Sequence, residues 1–307
     1  MKLGLLVPIL VATTSVSAKI TDLQYMPAKG AFFSKTEFSQ EQGEIELSYF
    51  GKNVSKSEVD ETNVNQTLLY TSTDSLSFGV GLSYNIKSET ESKYGPGSTI
   101  NGTIRNYESS GLRDIELVLK KRLRSEETIV DLSGVYSPKT GDAESASTSK
   151  KGNAFDGGSS VGATLEIGGS RGHIQYSGSL SIIHDTEREV RDLSNNTMTK
   201  YKSTTNVVVG AEIKVQTSEI FFLKGSLGVA SLDDQNYREA GDTTDTVIER
   251  TIGVVGGAAA QYKLSESSVV DVGLFRSISD YNVYEGSTSI FGDYESTVFN
   301  IGFSIEI

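Results

Sequence analysis

The chain has 307 residues and a formal net charge of −12 at pH 7, from 28 Lys and Arg against 40 Asp and Glu. So acidic a chain excludes nucleic acid as a partner, since phosphate binding needs a basic patch, and the absence of Cys excludes disulfides and thiolate metal sites. A hydrophobic fraction of 36% with 31 Gly is low for a globular core and means disorder unless the apolar residues are organised.

They are organised in chain order. Lys2 gives a short positive start, Leu3–Ala12 an apolar stretch and Val16-Ser17-Ala18 a small-residue cleavage site, so residues 1–18 are expected to be a secretory signal peptide. Residues 19–30 follow as a short N-terminal periplasmic segment. No later run is apolar and long enough for a membrane helix. A first strand lies within Phe32–Phe50; its phase changes between Phe38 and Ile45, which places a bulge at Gly43.

Short polar turns then recur at Thr73-Asp74, Arg124-Ser125-Glu126, Gly169-Ser170-Arg171, Thr217-Ser218-Glu219 and Ser265-Glu266-Ser267, spaced roughly 45 to 51 residues apart. Alternating segments flank each turn. Leu76, Phe78, Val80, Leu82, Tyr84 and Ile86 oppose Ser77, Gly79, Gly81, Ser83 and Asn85. Val161, Ala163, Leu165 and Ile167 oppose Gly162, Thr164 and Glu166. Val207, Val209, Ala211, Ile213 and Val215 oppose Asn206, Gly210, Glu212, Lys214 and Gln216. Ile248, Ile252, Val254, Ala258 and Tyr262 oppose Glu249, Thr251, Gly253 and Gln261. After the fifth turn Val270, Val272 and Leu274 keep the pattern, but Arg276 would face lipid unless a bulge near Phe275 or snorkelling relieves it. In the last strand Phe299, Ile301, Phe303, Ile305 and Ile307 oppose Asn300, Gly302, Ser304 and Glu306.

A period of two makes each segment a strand with one apolar and one polar face. Five short turns and both chain ends on one side give six hairpins. The expected fold is all-β: a transmembrane antiparallel up-and-down β-barrel of about 12 strands over residues 31–307. Its apolar residues face lipid, its turns the periplasm and its long polar loops the outside. A secreted solenoid or sandwich would alternate too, but these charged inward residues could not fill a dry core. The last strand must pair with the first to abolish both edges.

The segment Asn300-Ile301-Gly302-Phe303-Ser304-Ile305-Glu306-Ile307 resembles the C-terminal assembly signal of bacterial outer-membrane barrels: a polar residue, a glycine, then apolar residues at alternate positions. It departs in ending on Ile307, where an aromatic is commoner. The resemblance implies a porin-like protein of the cell outer membrane, with Asn300, Gly302, Phe303, Ile305 and Ile307 as the assembly signal. It implies as partners membrane lipid and lipopolysaccharide, the barrel assembly machinery, and small solutes or ions.

Twelve strands tilted near 40° leave a bore of about 10 to 12 Å. Glu46, Glu116, Asp131, Glu166, Glu212, Glu249, Asp271 and Glu306 are expected to line it, with Lys120, Arg122, Lys214 and Lys224. The excess of acids predicts a negative field and a preference for cations. Loop carboxylates are dense at Asp233-Asp234 and through Asp242 and Asp245, but their spacing matches no calcium loop, so no metal and no cofactor is expected. Tyr49, Tyr70, Tyr84, Tyr136, Tyr262 and Phe303 suit an interfacial girdle.

Catalysis is not expected. The two histidines are His173, in a turn, and His184, whose neighbours Asp185 and Thr186 alternate across a strand instead of converging as a triad requires. Three readings stay open: a porin-like channel for passive diffusion, a structural or adhesive barrel acting through its outer loops, and a barrel hydrolase.

Overall fold

The structure, a computed structural model, describes residues 22–125, 127–285 and 288–307; the expected signal peptide and Glu126 of the second turn lie outside the described residues. Every described regular element is a strand. They are β1 (Phe32–Tyr49), β2 (Lys52–Thr73), β3 (Leu76–Tyr94), β4 (Ile104–Leu112), β5 (Glu116–Ser125), β6 (Thr128–Ser137), β7 (Ala143–Ser145), β8 (Ser160–Arg171) and β9 (Ile174–Asp185). There follow β10 (Arg188–Asp192), β11 (Thr197–Tyr201), β12 (Thr204–Gln216), β13 (Phe221–Ser231), β14 (Gln235–Glu239), β15 (Thr246–Ser265), β16 (Ser268–Glu285) and β17 (Thr288–Glu306).

Twelve wall strands pair antiparallel with their sequence neighbours, β4 and β5 together forming the fourth, and β1 pairs with β17 from Phe33↔Glu306 to Ser48↔Phe291. The cylinder is closed. Outside it, alternate residues such as Phe38, Leu82, Tyr84, Leu119, Leu180, Leu227, Leu274, Phe299 and Ile301 are exposed, an apolar belt that only a lipid surface accommodates. At its periplasmic rim Phe32, Tyr70 and Phe78 stack with ring centroids 4.8 and 5.6 Å apart. Glycines sit where rings cross the wall: a Cβ at Gly257 or Gly273 would meet the Phe275 ring.

The outer half departs from what alternation suggested. Strands β1, β2, β3, β15, β16 and β17 run 18 to 22 residues, about twice the ~10 residues a membrane-spanning strand needs. The first hairpin closes through only Phe50 and Gly51, both with positive φ (48° and 71°), as a tight two-residue turn requires. Above the belt the polarity of the faces is reversed. Ile45, Leu47, Ile248, Tyr281, Val283, Ile290 and Tyr294 form a buried cluster inside. Outside, Lys56 bridges to Glu44 at 2.5 Å and Lys93 to Glu58 at 3.3 Å.

This reversal corrects several expectations. No bulge exists at Gly43, whose pairing with β2 and β17 is unbroken; Ile45 and Leu47 point inward because the strand has left the membrane. Glu46 therefore faces water and sits 3.4 Å from Lys56, so it does not line the lumen. Tyr49 packs against the inner cluster and takes no part in a girdle. Glu249 also points outward, accepting a bond from the Tyr284 hydroxyl at 3.0 Å. A bulge between Arg250 and Gly253 shifts the phase, so Ile248 is inside while Ile252 and Val254 are outside. Arg276 keeps its place in an unbroken register and reaches Glu295 at 2.6 Å on the outer surface.

The outer loops extend the wall. Gly152 bridges to Ser109 of β4, and Asn153 donates its backbone N–H to Glu144 of β7. Strand β7 pairs with β10, β10 with β11, β11 with β14 and β14 with β15. Backbone pairing thus closes a second time above the membrane.

Candidate functional site: the lumen

Inside the belt, strand parity decides which side chains enter the lumen. Even positions of β5, β8, β12, β13 and β17 and odd positions of β6 and β16 point inward, as their burial alternation shows. Glu116, Lys120, Arg122, Asp131, Glu166, Glu212, Lys214, Lys224, Asp271 and Glu306 all occupy such positions. Gly302 leaves room for the Asp271 carboxylate beside it, while Phe303 and Ile307 face outward.

These charges are arranged, not scattered. Asp131 is fully buried and accepts from Lys120 Nζ at 2.9 Å and from Arg122 Nε and Nη2 at 2.9 and 3.0 Å. Lys224 pairs with Glu212 at 2.9 Å, and Lys214 donates to Gln261.

The periplasmic end is not an open bore. The segment expected to sit in the periplasm instead crosses the lumen, with Leu23, Gln24, Tyr25 and Met26 buried. Lys120 Nζ donates to the Tyr25 carbonyl at 3.0 Å and Arg122 Nη2 to the Gln24 carbonyl at 2.7 Å. Gln24 Nε2 donates to the Glu166 carbonyl at 3.3 Å, and Gln175 accepts from the Leu23 N–H at 3.0 Å. The Tyr25 hydroxyl donates to Glu306, whose other oxygen accepts from the Ala28 N–H, and the ring packs against Phe33, Leu69 and Val269. Of the twelve wall strands, the segment uses donors and acceptors on β5, β6, β8, β9 and β17. Its irregular backbone bonds are satisfied by lumen side chains, as buried backbone requires.

A loop restricts the other end. A break at Arg113–Ile115 between β4 and β5 turns Asp114 inward, where it is buried. Its carboxylate accepts from Thr140 N and Oγ1 at 2.7 and 2.6 Å and from Asp156 N at 2.9 Å. This pins residues 138–159 so that Phe155 and Asp156 line the cavity. Hydrogen bonds to a charged acceptor contribute about 1.5–3 kcal/mol each. Asp114→Ala is expected to speed protease cleavage within 138–159 at least tenfold on folded protein; unchanged cleavage would mean other contacts seat the loop.

Between floor and loop lies a continuous cavity of about 780 Å³. Acidic side chains outnumber basic ones along it, with Glu61, Glu116, Glu166, Asp185 and Glu212 against Arg113, Lys120, Arg188 and Arg250 among its lining. His184 points away from Asp185, bonding Thr205 at 3.0 Å, while Asp185 lines the cavity. No group of His, Asp and Glu among the described residues could hold a metal ion.

The sequence matches no protein-family profile and no curated protein. The fold matches an outer-membrane channel from Pseudomonas putida F1 at a TM-score of 0.59 and 12% identity, over 97% of this chain and 100% of that one. It also matches the transport unit of the autotransporter AIDA-I from Escherichia coli at a TM-score of 0.54 and 10% identity, over 94% of each chain. The outer-membrane protease OmpT from Escherichia coli aligns over 92% of this chain, but a TM-score of 0.41 at 9% identity carries no argument about catalysis. A closed cylinder with an apolar outer belt and a charged interior, sharing its fold with outer-membrane proteins along nearly its whole length, makes this chain a twelve-stranded outer-membrane β-barrel.

Proposed function

We propose that the barrel is a channel for passive diffusion of ions or small solutes, narrowed by its own N-terminal segment and by the loop of residues 138–159. The observation that carries this reading is the continuous charged cavity between those two constrictions. A barrel serving only as a scaffold would have no need of carboxylates such as Glu116 and Glu166 that face the cavity outside the ion pairs of Asp131 and Glu212. The excess of acids favours cations, because a low-dielectric wall concentrates the field of Glu116 and Glu166 along the axis. Passage, not catalysis, is the proposed activity, since His184 and Asp185 lie on opposite faces of β9.

Purified protein in a planar bilayer is expected to give discrete conductance steps, and in a tenfold KCl gradient a reversal potential shifted toward that of K⁺. A shift toward Cl⁻ would remove the cation preference. Silence in repeated preparations would instead favour a closed barrel that acts through its outer surface.

A further inference from the structure

The chamber enclosed by the second ring, above the membrane belt, differs from a pore for hydrated solutes. Ile45, Leu47, Val59, Ile248, Tyr281 and Val283 all line the cavity there, giving it an apolar wall. Two polar atoms in that wall, the Tyr281 hydroxyl oxygen and Arg250 Nη2, have no hydrogen-bond partner. Tyr281 is 2% exposed and its hydroxyl makes no hydrogen bond; its ring lies over Gly292, where a Cβ would collide with it. Arg250, the register partner of Tyr281 on β15, gives its Nε to the Asp233 carbonyl at 2.8 Å but leaves a buried Nη2 unpaired. Leaving a buried polar group unpaired costs free energy that a bound ligand recovers.

Arg250 Nη2 can only donate and the Tyr281 hydroxyl can donate as well as accept, so an acceptor oxygen on a ligand suits both groups. Its charge is set by the surroundings: Asp185, Asp192 and Glu239 line the same cavity beside Arg188, Lys202 and Arg250, so the charges there already face opposite charges, and an ion of either sign held against the apolar wall would lose hydration that an uncharged molecule does not. The whole cavity, of which this chamber is only the outer part, is about 780 Å³, so the chamber admits a small molecule and nothing larger. We propose that this chamber binds an uncharged small molecule with an aliphatic or aromatic body and a carbonyl or hydroxyl oxygen, the oxygen accepting from Tyr281. Binding there does not depend on conduction, so a barrel that proved silent in a bilayer would still be expected to bind.

The test uses the full protein in lipid nanodiscs, with empty nanodiscs correcting for partition into lipid. Acetophenone, its hydrocarbon counterpart ethylbenzene, and benzoate are measured by equilibrium dialysis. Acetophenone is expected to bind at least fivefold tighter than ethylbenzene and tighter than benzoate. Tyr281→Phe keeps the ring over Gly292 and removes only the donor, so it is expected to make acetophenone and ethylbenzene equal. Benzoate binding tightest, no binding above the blank, or equal affinities in the unaltered protein would each overturn the proposal. So would a preference that survives in folded Tyr281→Phe protein.

Discussion

Deletion of residues 22–27 is expected to raise single-channel conductance several-fold and to leave the barrel folded. The segment contributes no strand to the wall, and its anchors remain occupied without it. Asp131 still bridges Lys120 and Arg122, and water can enter to replace the lost carbonyl acceptors. The cost of removal is the burial of Tyr25 against Phe33, Leu69 and Val269, roughly 1.5–3 kcal/mol for one such side chain. Folding is checked by the shift in gel mobility between unboiled and boiled samples, which is expected to persist. Because constrictions along a pore resist current in series, the gain is limited by the loop of residues 138–159. Asp114→Ala in the deleted background is therefore expected to raise conductance again. Equal conductance before and after deletion would show that the segment does not lie across the conducting path.

The same segment marks where reading the sequence stops. Strands of the belt are legible because one face meets lipid and the other water, and a pleated chain must then alternate; the terminal run Phe299–Ile307 and its pairing with β1 follow from that alone. Asp22–Ala28 has no period. Its burial depends on donors at Lys120 and Arg122 and an acceptor at Gln175 that are about a hundred residues or more distant in sequence. Nothing local announces them.

Glu46 misleads for a different reason, Glu249 through the bulge between Arg250 and Gly253. Alternation reports which residues share a face but not which face is dry. Between Phe38 and Ile45 the strand passes from lipid into water, and the apolar set moves from outside to inside with no change in backbone geometry. A sequence shows the same signal for such a passage as for a bulge. One feature separates the two after the fact: the charges facing outward above the belt alternate in sign across strands, as Glu44, Lys56 and Glu58, Lys93 do. Such a ladder belongs on a solvated sheet, where each pair contributes about 0–1 kcal/mol, not in a lumen.

Asp131→Asn is expected to destabilise the barrel by about 3–5 kcal/mol, because it removes the buried carboxylate that bridges two cations. Lys120 and Asp131 are almost wholly inaccessible and Arg122 is mostly so, hence water cannot take over the role of the carboxylate without opening the floor of the lumen. The measurement is the urea concentration at which half the protein loses its folded gel mobility, which should fall markedly. A triple replacement, Lys120→Met, Arg122→Met and Asp131→Leu, removes all three charges at once, and replacing a buried ion cluster by apolar residues of similar volume is often close to neutral. It should recover most of the lost stability. It also deletes both donors that hold the Gln24 and Tyr25 carbonyls, so its conductance should approach that of the deletion. Stability and permeability would then separate: the carboxylate holds the wall together, and the two cations it steadies hold the segment in the pore. If the triple variant regained stability yet conducted like the unaltered protein, the cations would be structural alone and the N-terminal segment would be held by Glu306 and Gln175.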